Sequence, residues 1–354
     1  MPATGSGRSS RQGQYPFARQ AKLALPALLL GVVLSTCGWA TPATQAQEAA
    51  PQIVVTPETH SYIVYGDIRF TDPEKCEPSN PAARQALTDR VAQLAPKPDF
   101  VLITGDVVLK GGNDDDWRVF DQETQALRNR GITIFSVLGN HDKSGGGQAK
   151  FFQHFAALKD FPQLRQRAWY SLRYGNSFFI LLDSQETYSK DTPQGIWLRE
   201  ELKQVPAKTD FLVVVLHHPI ISHPSGEALP SPCPGGLKLT RAGHKVAPAE
   251  KELQEMLEEW SRDHSHIRTL ILSGHNHNYE RYVENGITYV VTAGGGATPY
   301  GVIRDPKDLY RQPGPTYHYC KISVSQQKLR FEMFKLTLRG KSASWKLQDS
   351  FEWK

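Results

Sequence analysis

Cysteine is scarce in this sequence, which holds four in 354 residues. None of them lies in a Cys-x-x-Cys or a Cys-x-x-His motif, so the sequence does not support a structural zinc site of that kind. Beyond Cys37 near the N-terminus, three cysteines remain, and at most one internal disulfide can form among three. We expect Cys76 to pair with Cys233, because both lie in loops that follow strands with polar ends. The two pairings with Cys320 stay open.

The sequence also lacks a hydrophobic run that spans a bilayer comfortably, since its main apolar stretch, residues 23–34, is shorter than about 20 residues. Four basic residues precede this stretch, and small or polar residues follow it as far as Ala46. This order predicts a signal peptide over residues 1–46 and export to the periplasm or the extracellular space. A lipoprotein modified at Cys37 and a retained N-terminal anchor are open alternatives.

A strong charge excess is absent once this segment is set aside. The whole chain has 41 basic and 36 acidic residues, for a net charge of +5. The first 46 residues hold four of the basic residues and none of the acidic ones, which leaves 37 against 36. The remaining chain, residues 47–354, therefore reads as one globular domain with no evident nucleic-acid partner and no transmembrane segment.

Short apolar runs alternate with amphipathic stretches through the first three quarters of the chain. Runs of four to seven residues rich in Val, Ile, Leu or Phe are typical of strands buried on both faces. They lie at residues 62–65, 100–104, 132–138, 178–182, 211–216 and 269–272. Helices are predicted between them, at residues 81–94, 114–128, 148–158, 196–204 and 248–264.

After His264 the pattern predicts strands alone, at residues 288–292, 317–324, 328–336 and 344–348. The fold class is therefore α/β, with an early β-α-β series and a late antiparallel sheet. Two long loops rich in Gly and Pro, residues 220–247 and 294–315, are typical of functional loops. Insertions without a function are the alternative.

Polar side chains follow five of the six buried strands, at the point where each strand ends. In open α/β sheets, ligands bind beyond the carboxyl ends of the strands. A single Asp or His at such a position usually caps a helix or fills a core, but five sites together in metal-ligand residue types indicate a shared site. The residues are Asp67, Asp106, Asn140 with His141 and Asp142, His217 with His218, and His275 with His277.

The motifs around these residues resemble those of the calcineurin-like metallophosphoesterase superfamily. They are Gly66-Asp67, Gly105-Asp106, Gly139-Asn140-His141-Asp142, His217-His218-Pro219 and Gly274-His275-Asn276-His277, in that order. The run Asn278-Tyr279-Glu280-Arg281 and the triplet Gly294-Gly295-Gly296 are similar to the purple acid phosphatase branch. The resemblance covers residues 62 to about 300. It implies an αββα four-layer sandwich with two mixed sheets and a metal site at the carboxyl ends of the strands.

The resemblance also implies roles for these residues. Asp106 bridges two divalent or mixed-valence ions of iron, zinc or manganese, because cations about 3.5–4 Å apart need a shared anion. Asp67 and His277 hold the first ion, and Asn140, His217 and His275 hold the second. His141 donates a proton to the leaving alcohol, and Asp142 orients His141. His218 either contacts the substrate or acts as a spacer.

The first ion's ligands depart from the family pattern at two positions. Many members carry a histidine two residues after the first aspartate, where this chain has Arg69. Purple acid phosphatases instead place a tyrosine three residues after the bridging aspartate, where this chain has Leu109. Arg69 either points into the site and binds a phosphate oxygen, or turns away to pair with Asp72 or Glu74.

These features predict a metallophosphoesterase that hydrolyses a small phosphorylated substrate through a metal-bound hydroxide. Monoesters are favoured over diesters because of the Tyr279-Glu280-Arg281 run. The alternatives are a phosphodiesterase of the same fold and a poorly active binding or regulatory protein. The first-ion site lacks a ligand of the family pattern, which supports a binding or regulatory protein. His141 opposes that interpretation, since a binding protein needs no proton donor.

Overall fold

The computed structural model describes residues 59–74, 79–159, 167–223, 245–301, 304–313, 316–340 and 342–354. The signal peptide, Cys76, Cys233 and most of the first long loop lie outside these residues. The strands are β1 Thr59–Tyr65, β2 Phe100–Ile103, β3 Thr133–Ser136, β4 Tyr170–Tyr174, β5 Ser177–Leu181, β6 Phe211–Val215, β7 Arg268–Ser273, β8 Tyr279–Glu284, β9 Ile287–Thr292, β10 His318–Ser325, β11 Lys328–Arg339 and β12 Ser342–Trp353. The α-helices are α1 Pro81–Gln93, α2 Asp114–Glu123, α3 Gln125–Asn129, α4 Asn140–Lys143, α5 Gln148–His154, α6 Ala156–Lys159, α7 Pro193–Lys203 and α8 Pro248–Asp263.

The first sheet has the strand order β12-β11-β10-β1-β2-β3. Strands β1, β2 and β3 are parallel, with Tyr62 opposite Phe100 and Phe100 opposite Thr133. Strand β10 pairs antiparallel with β1, with Ile322 opposite Tyr62. Strands β10, β11 and β12 are therefore antiparallel, as predicted for the late part of the chain, but they form one sheet with the early parallel strands. The remaining predicted late strand, β9, lies in the second sheet and is parallel to β7.

The second sheet has the order β4-β5-β6-β7-β9-β8, with its four central strands parallel. Its two outer strands, β4 and β8, pair antiparallel with their neighbours. The sequence analysis missed both, because an outer strand carries polar residues such as Arg173 and Glu280 that break the apolar run. Both sheets are mixed, as the resemblance implied.

The two sheets pack face to face, and their outer faces carry helices. Phe179 of β5 contacts Tyr62 and Phe100 of the first sheet, with ring centroids 5.3 and 5.6 Å apart. The next residue, Ile180, points the other way and joins a cluster with Leu198 of α7 and with α8. This alternation follows from the two-residue period of a strand and divides the core into two clusters.

Helix starts follow the local sequence. The side chain of Asn80 accepts hydrogen bonds from the backbone N–H groups of Ala82 and Ala83, and Pro81 occupies the first turn of α1. Asn113 caps α2 in the same way. Two predicted helices are each interrupted, by Thr124 between α2 and α3 and by Phe155 between α5 and α6. Among the described residues, no helix combines the length and apolarity that crossing a bilayer requires.

Candidate metal centre

The centre lies where the carboxyl ends of the parallel strands in both sheets meet. Asp67, Asp106 and Asn140 follow β1, β2 and β3 of the first sheet, and His217 and His275 follow β6 and β7 of the second. The backbone N–H of His275 donates to Oδ2 of Asp67 over 2.9 Å and so ties one sheet to the other. The structure thus brings together side chains that are up to 210 residues apart in the sequence, as far as His277.

Asn140, His217 and His275, the predicted ligands of the second ion, form one cluster, which we call the histidine group. Oδ1 of Asn140, Nε2 of His217 and Nδ1 of His275 are 3.1 Å from one another in each pair. Neighbouring ligands at right angles around a cation, with bonds of about 2.1 Å, lie about 3 Å apart. Oδ1 of Asp106 completes the arrangement, 3.4 Å from Nε2 of His217.

The proton position on His217 strengthens this fit. Its Nδ1 lies 2.9 Å from the backbone carbonyl oxygen of Thr104, which can only accept a hydrogen bond. Nδ1 therefore carries the proton of the neutral ring, and the lone pair of Nε2 faces the amide oxygen of Asn140. Two acceptors at 3.1 Å repel each other unless a positive charge lies between them. The histidine group is thus suited to a cation by donor chemistry and by distance.

Asp67, Asp106 and His277, the predicted ligands of the first ion, form the other cluster, which we call the carboxylate group. Oδ1 of Asp67 lies 3.3 Å from Nε2 of His277, and both side chains are buried. Within the described part of the chain, neither atom has a hydrogen-bond partner. The Nδ1–H of His277 donates to the carbonyl oxygen of Thr298 over 2.8 Å, so Nε2 offers a lone pair here too. Buried atoms that offer a lone pair and have no hydrogen-bond partner are suited to bind a cation.

Burial sets the protonation of the carboxylate group in the absence of a cation. Desolvation, and then the neighbouring Asp106 charge, raise the pKa of Asp67 well above its usual range. Desolvation lowers the pKa of His277, and the Arg69 charge lowers it further. For Asp106, burial alone would raise the pKa, but His217 and Arg69 outweigh it and hold the pKa below its usual value.

Arg69 points into the centre. Its Nε and Nη2 lie 3.3 and 3.1 Å from Oδ2 of Asp106, and both side chains are almost wholly buried. The alternative orientation, toward Asp72 or Glu74, does not occur. Instead, Oδ1 of Asp72 accepts a hydrogen bond from the backbone N–H of Glu74.

His141 lies beside this centre, and its imidazole is oriented by the backbone. Its Nδ1–H donates to the carbonyl oxygen of Leu109 over 2.7 Å. The prediction that Asp142 orients His141 was wrong. The carboxylate of Asp142 accepts hydrogen bonds from the backbone N–H groups of Gly139 and Val108 instead. Asp142 occupies the third position of helix α4, where a carboxylate caps the helix start.

His218 approaches the histidine group from its outer side. Its ring centroid is 4.4 Å from that of His275, and the three histidines 217, 218 and 275 can direct nitrogens to within 4.8 Å of one another. The side-chain hydroxyl of Ser184 lies 2.9 Å from Nδ1 of His218 and holds the ring in place.

Backbone strain is concentrated at this site. Asp67, Arg69, Asp106 and His275 have φ values of 54°, 54°, 51° and 67°, in the left-handed region. This region costs non-glycine residues about 1–2 kcal/mol each, and it is retained where function requires it. Gly139 is required by close packing, because a Cβ there would lie 2.2 Å from Oδ1 of Asp106.

The sequence analysis missed the backbone groups that orient the centre. The carbonyl oxygens of Thr104, Leu109 and Thr298 each hold one imidazole, and no side-chain pattern marks them. The sequence analysis also took the run Tyr279-Glu280-Arg281 as a sign of monoester hydrolysis, whereas two of its side chains stabilise the fold. Tyr279 and Arg281 both donate to the carboxylate of Asp349 on β12.

Comparison with known proteins shows the family of this chain. A sequence model of the calcineurin-like phosphoesterase family matches residues 52–279. The chain is 29% identical over 214 residues to a phosphoenolpyruvate phosphatase of Allium cepa, covering 56% of this chain and 39% of that protein. It is 21% identical over 324 residues to a probable inactive purple acid phosphatase 1 of Arabidopsis thaliana, covering 82% and 49%. The chain thus spans half or less of the length of these two relatives.

A third relative and a solved structure extend the comparison. A nucleotide pyrophosphatase/phosphodiesterase of Hordeum vulgare is 22% identical, covering 75% of this chain and 74% of that protein. The fold resembles that of a purple acid phosphatase from yellow lupin (Lupinus luteus) seeds, with a TM-score of 0.62 at 18% identity, covering 84% and 54%. Because the family model spans well over half of its residues, the chain belongs to the calcineurin-like phosphoesterase family.

Proposed function

We propose that this protein hydrolyses phosphate esters, monoesters in preference to diesters, at a metal centre formed by six side chains. These are Asp67, Asp106, Asn140, His217, His275 and His277. One observation carries the proposal: the donor atoms of Asn140, His217 and His275 lie 3.1 Å from one another, and the lone pair of His217 Nε2 faces the amide oxygen of Asn140. That arrangement is unfavourable without a cation and suits iron, zinc or manganese.

The protein's own groups supply the rest of the chemistry. Bound divalent ions polarise phosphate oxygens and lower the pKa of water, which provides a nucleophile near neutral pH. Two donor groups are available for such ions, and Asp106, a member of the carboxylate group, also directs its Oδ1 to the histidine group, 3.4 Å from Nε2 of His217. His218, at the outer side of the histidine group, is proposed to contact the substrate phosphate.

His141 is proposed as the proton donor to the leaving alcohol. The Leu109 carbonyl fixes its ring through Nδ1, which leaves Nε2 as the nitrogen that exchanges a proton. Burial, followed by the Arg69 charge, lowers the pKa of His141 in the free protein. A bound phosphate dianion would raise that pKa again, so the ring gains its proton as the substrate binds.

A cavity of about 420 Å³ opens beside His141 and can accept the leaving group. Leu109, Gly112 and Gly145 give it apolar walls, and Lys110 and Asn113 add polar groups. Its position next to the proposed proton donor matches the geometry of ester cleavage, in which the acid must reach the departing oxygen.

The preference for monoesters is the finer part of the proposal. The Allium relative, which is named a phosphatase, supports it. The Hordeum relative, named a phosphodiesterase, supports diester cleavage. A third possibility is a weakly active binding protein, supported by the Arabidopsis relative, which is named inactive, and by Arg69 at a ligand position.

Paired aryl substrates test these readings. The purified protein is supplied with Mn²⁺, Zn²⁺ or Fe²⁺ in turn and assayed with 4-nitrophenyl phosphate and with bis(4-nitrophenyl) phosphate. We expect faster turnover of the monoester with at least one metal. Faster diester turnover would support the phosphodiesterase, and a folded, metal-loaded protein without turnover would support the binding protein.

Export of the protein remains a proposal based on its first 46 residues. N-terminal analysis of the protein recovered from the secreted and the membrane fractions of a bacterial host distinguishes the three fates. Cleavage after Ala46 fits a signal peptide, a modified Cys37 fits a lipoprotein, and an intact N-terminus fits an anchor.

A further inference from the structure

We infer that Arg69 is a built-in cation that takes the place of the first metal ion's charge, so that the centre binds one ion tightly, in the histidine group. This inference rests on the proposed function, because it concerns the same centre. It revises the expectation that two ions occupy the centre.

The two oxygens of Asp106 have different partners. Oδ1 faces the histidine group, 3.4 Å from Nε2 of His217, and accepts a hydrogen bond from the backbone N–H of His141. Oδ2 faces the guanidinium of Arg69, which donates to it from both Nε and Nη2. The oxygen that a bridging role would direct to the first ion is therefore already covered by a positive charge.

The backbone holds Arg69 in this position. Its own N–H donates to the carbonyl oxygen of Asp106 over 3.0 Å, and the next residue, Phe70, donates to Val107 over 2.8 Å. The carbonyl oxygen of Arg69 accepts from Arg84, whose side chain is buried and paired with Glu123. These bonds fix the backbone of Arg69 beside Asp106.

A metal ion in the carboxylate group would have to share Asp106 with this guanidinium. The side chain of Arg69 is only 3% exposed, so little solvent screens the repulsion between the two cations. Asp67 and His277 still offer two donors, which allow weak binding of a second ion. We expect the histidine group to bind its ion first, because its three donor atoms already lie 3.1 Å from one another.

Metal stoichiometry tests this inference without reference to activity. After dialysis, we expect one ion per wild-type chain, and a second Mn²⁺ binding at least 100-fold more weakly by calorimetry. Arg69→Met removes the charge, and Arg69→His also supplies an imidazole. Both variants should bind the second ion at least tenfold more tightly than the wild type. Arg69→Lys keeps the charge and serves as the matched control, with wild-type stoichiometry.

Electron paramagnetic resonance gives a readout on the unaltered protein. Wild type with a modest excess of Mn²⁺ should show the six-line spectrum of an isolated ion, whereas a coupled pair of ions would overturn the inference. Equal second-ion affinity in the wild type and in Arg69→Met would also overturn it, provided that circular dichroism shows both folded.

These outcomes separate this inference from the proposed function. One tight ion without ester hydrolysis would contradict the proposed function and leave the role of Arg69 standing. Two tightly bound ions together with ester hydrolysis would contradict the inference about Arg69 and leave the proposed function standing. A wild-type chain that binds no ion would overturn both.

Discussion

The imidazole of His141 is held by the backbone carbonyl of Leu109, with 2.7 Å between Nδ1 and the oxygen. Leu109 stands at the position where the resemblance to purple acid phosphatases led us to expect a tyrosine ligand. In this chain the position therefore contributes a backbone acceptor for the proposed proton donor, and its side chain lines the neighbouring cavity.

Replacing His141 tests its role directly. In His141→Asn, we expect turnover of 4-nitrophenyl phosphate to fall by about 10²–10⁴, the usual contribution of a positioned acid or base. Metal content should stay at the wild-type level, because none of the proposed metal contacts involves the ring. A loss of metal in this variant would show that His141 is a ligand.

Removing one donor of the histidine group should release the metal ion. In His275→Ala, we expect loss of the ion on dialysis and loss of turnover, with little change in the circular dichroism spectrum. His266→Ala removes an exposed histidine and is the matched control. Full metal retention in His275→Ala would contradict the proposed ligand set.

Gly139 tests the packing against Asp106. A Cβ at this position would overlap Oδ1 of Asp106, so Gly139→Ala should displace that carboxylate and weaken metal binding at least tenfold. We also expect a loss of about 1–3 kcal/mol in unfolding free energy, the usual cost of overpacking. Gly340→Ala is the control for metal affinity: its Cβ would meet no atom within 4 Å, and its left-handed φ of 59° costs stability through the backbone alone. An unchanged metal affinity in Gly139→Ala would contradict the geometry.

His318 should make the protein sensitive to acid. Burial lowers its pKa from 6.5 to about 4, so the folded state favours the neutral ring. The unfolded state binds the proton first as the pH falls, and stability is therefore lost between about pH 6.5 and pH 4. The shift corresponds to roughly 3 kcal/mol at the acid end.

Urea unfolding at pH 7, 5.5 and 4 measures this effect. The His318→Gln variant is expected to lose stability less steeply than the wild type over this range, because its amide does not titrate. Parallel pH profiles for the two proteins would show that His318 contributes nothing.

Much of the site could be predicted because its information is local. Strands β1, β2, β3, β6 and β7 are short apolar runs, and each is followed by a polar residue of metal-ligand type. The strand order across a sheet was not predictable in this way. The pairing of Tyr62 with Ile322 depends on contacts between distant segments, which no local pattern records.

Within the site, the predictions failed or stayed open where a side chain had competing local partners. Asp142 was expected to hold His141, but its carboxylate accepts a hydrogen bond from the backbone N–H of Gly139 at the start of α4. The direction of Arg69 stayed open because it depends on the left-handed backbone of one loop. Such a conformation is rare for arginine, and the residue type gives no sign of it.

The most direct test of the account is a metal titration of the stripped protein. Wild type freed of metal by a chelator is titrated with Mn²⁺ while binding and 4-nitrophenyl phosphate hydrolysis are followed in parallel. We expect no turnover before the titration and a rise that follows occupancy of the tight site. Undiminished hydrolysis by the stripped protein, or none at full occupancy, would contradict it.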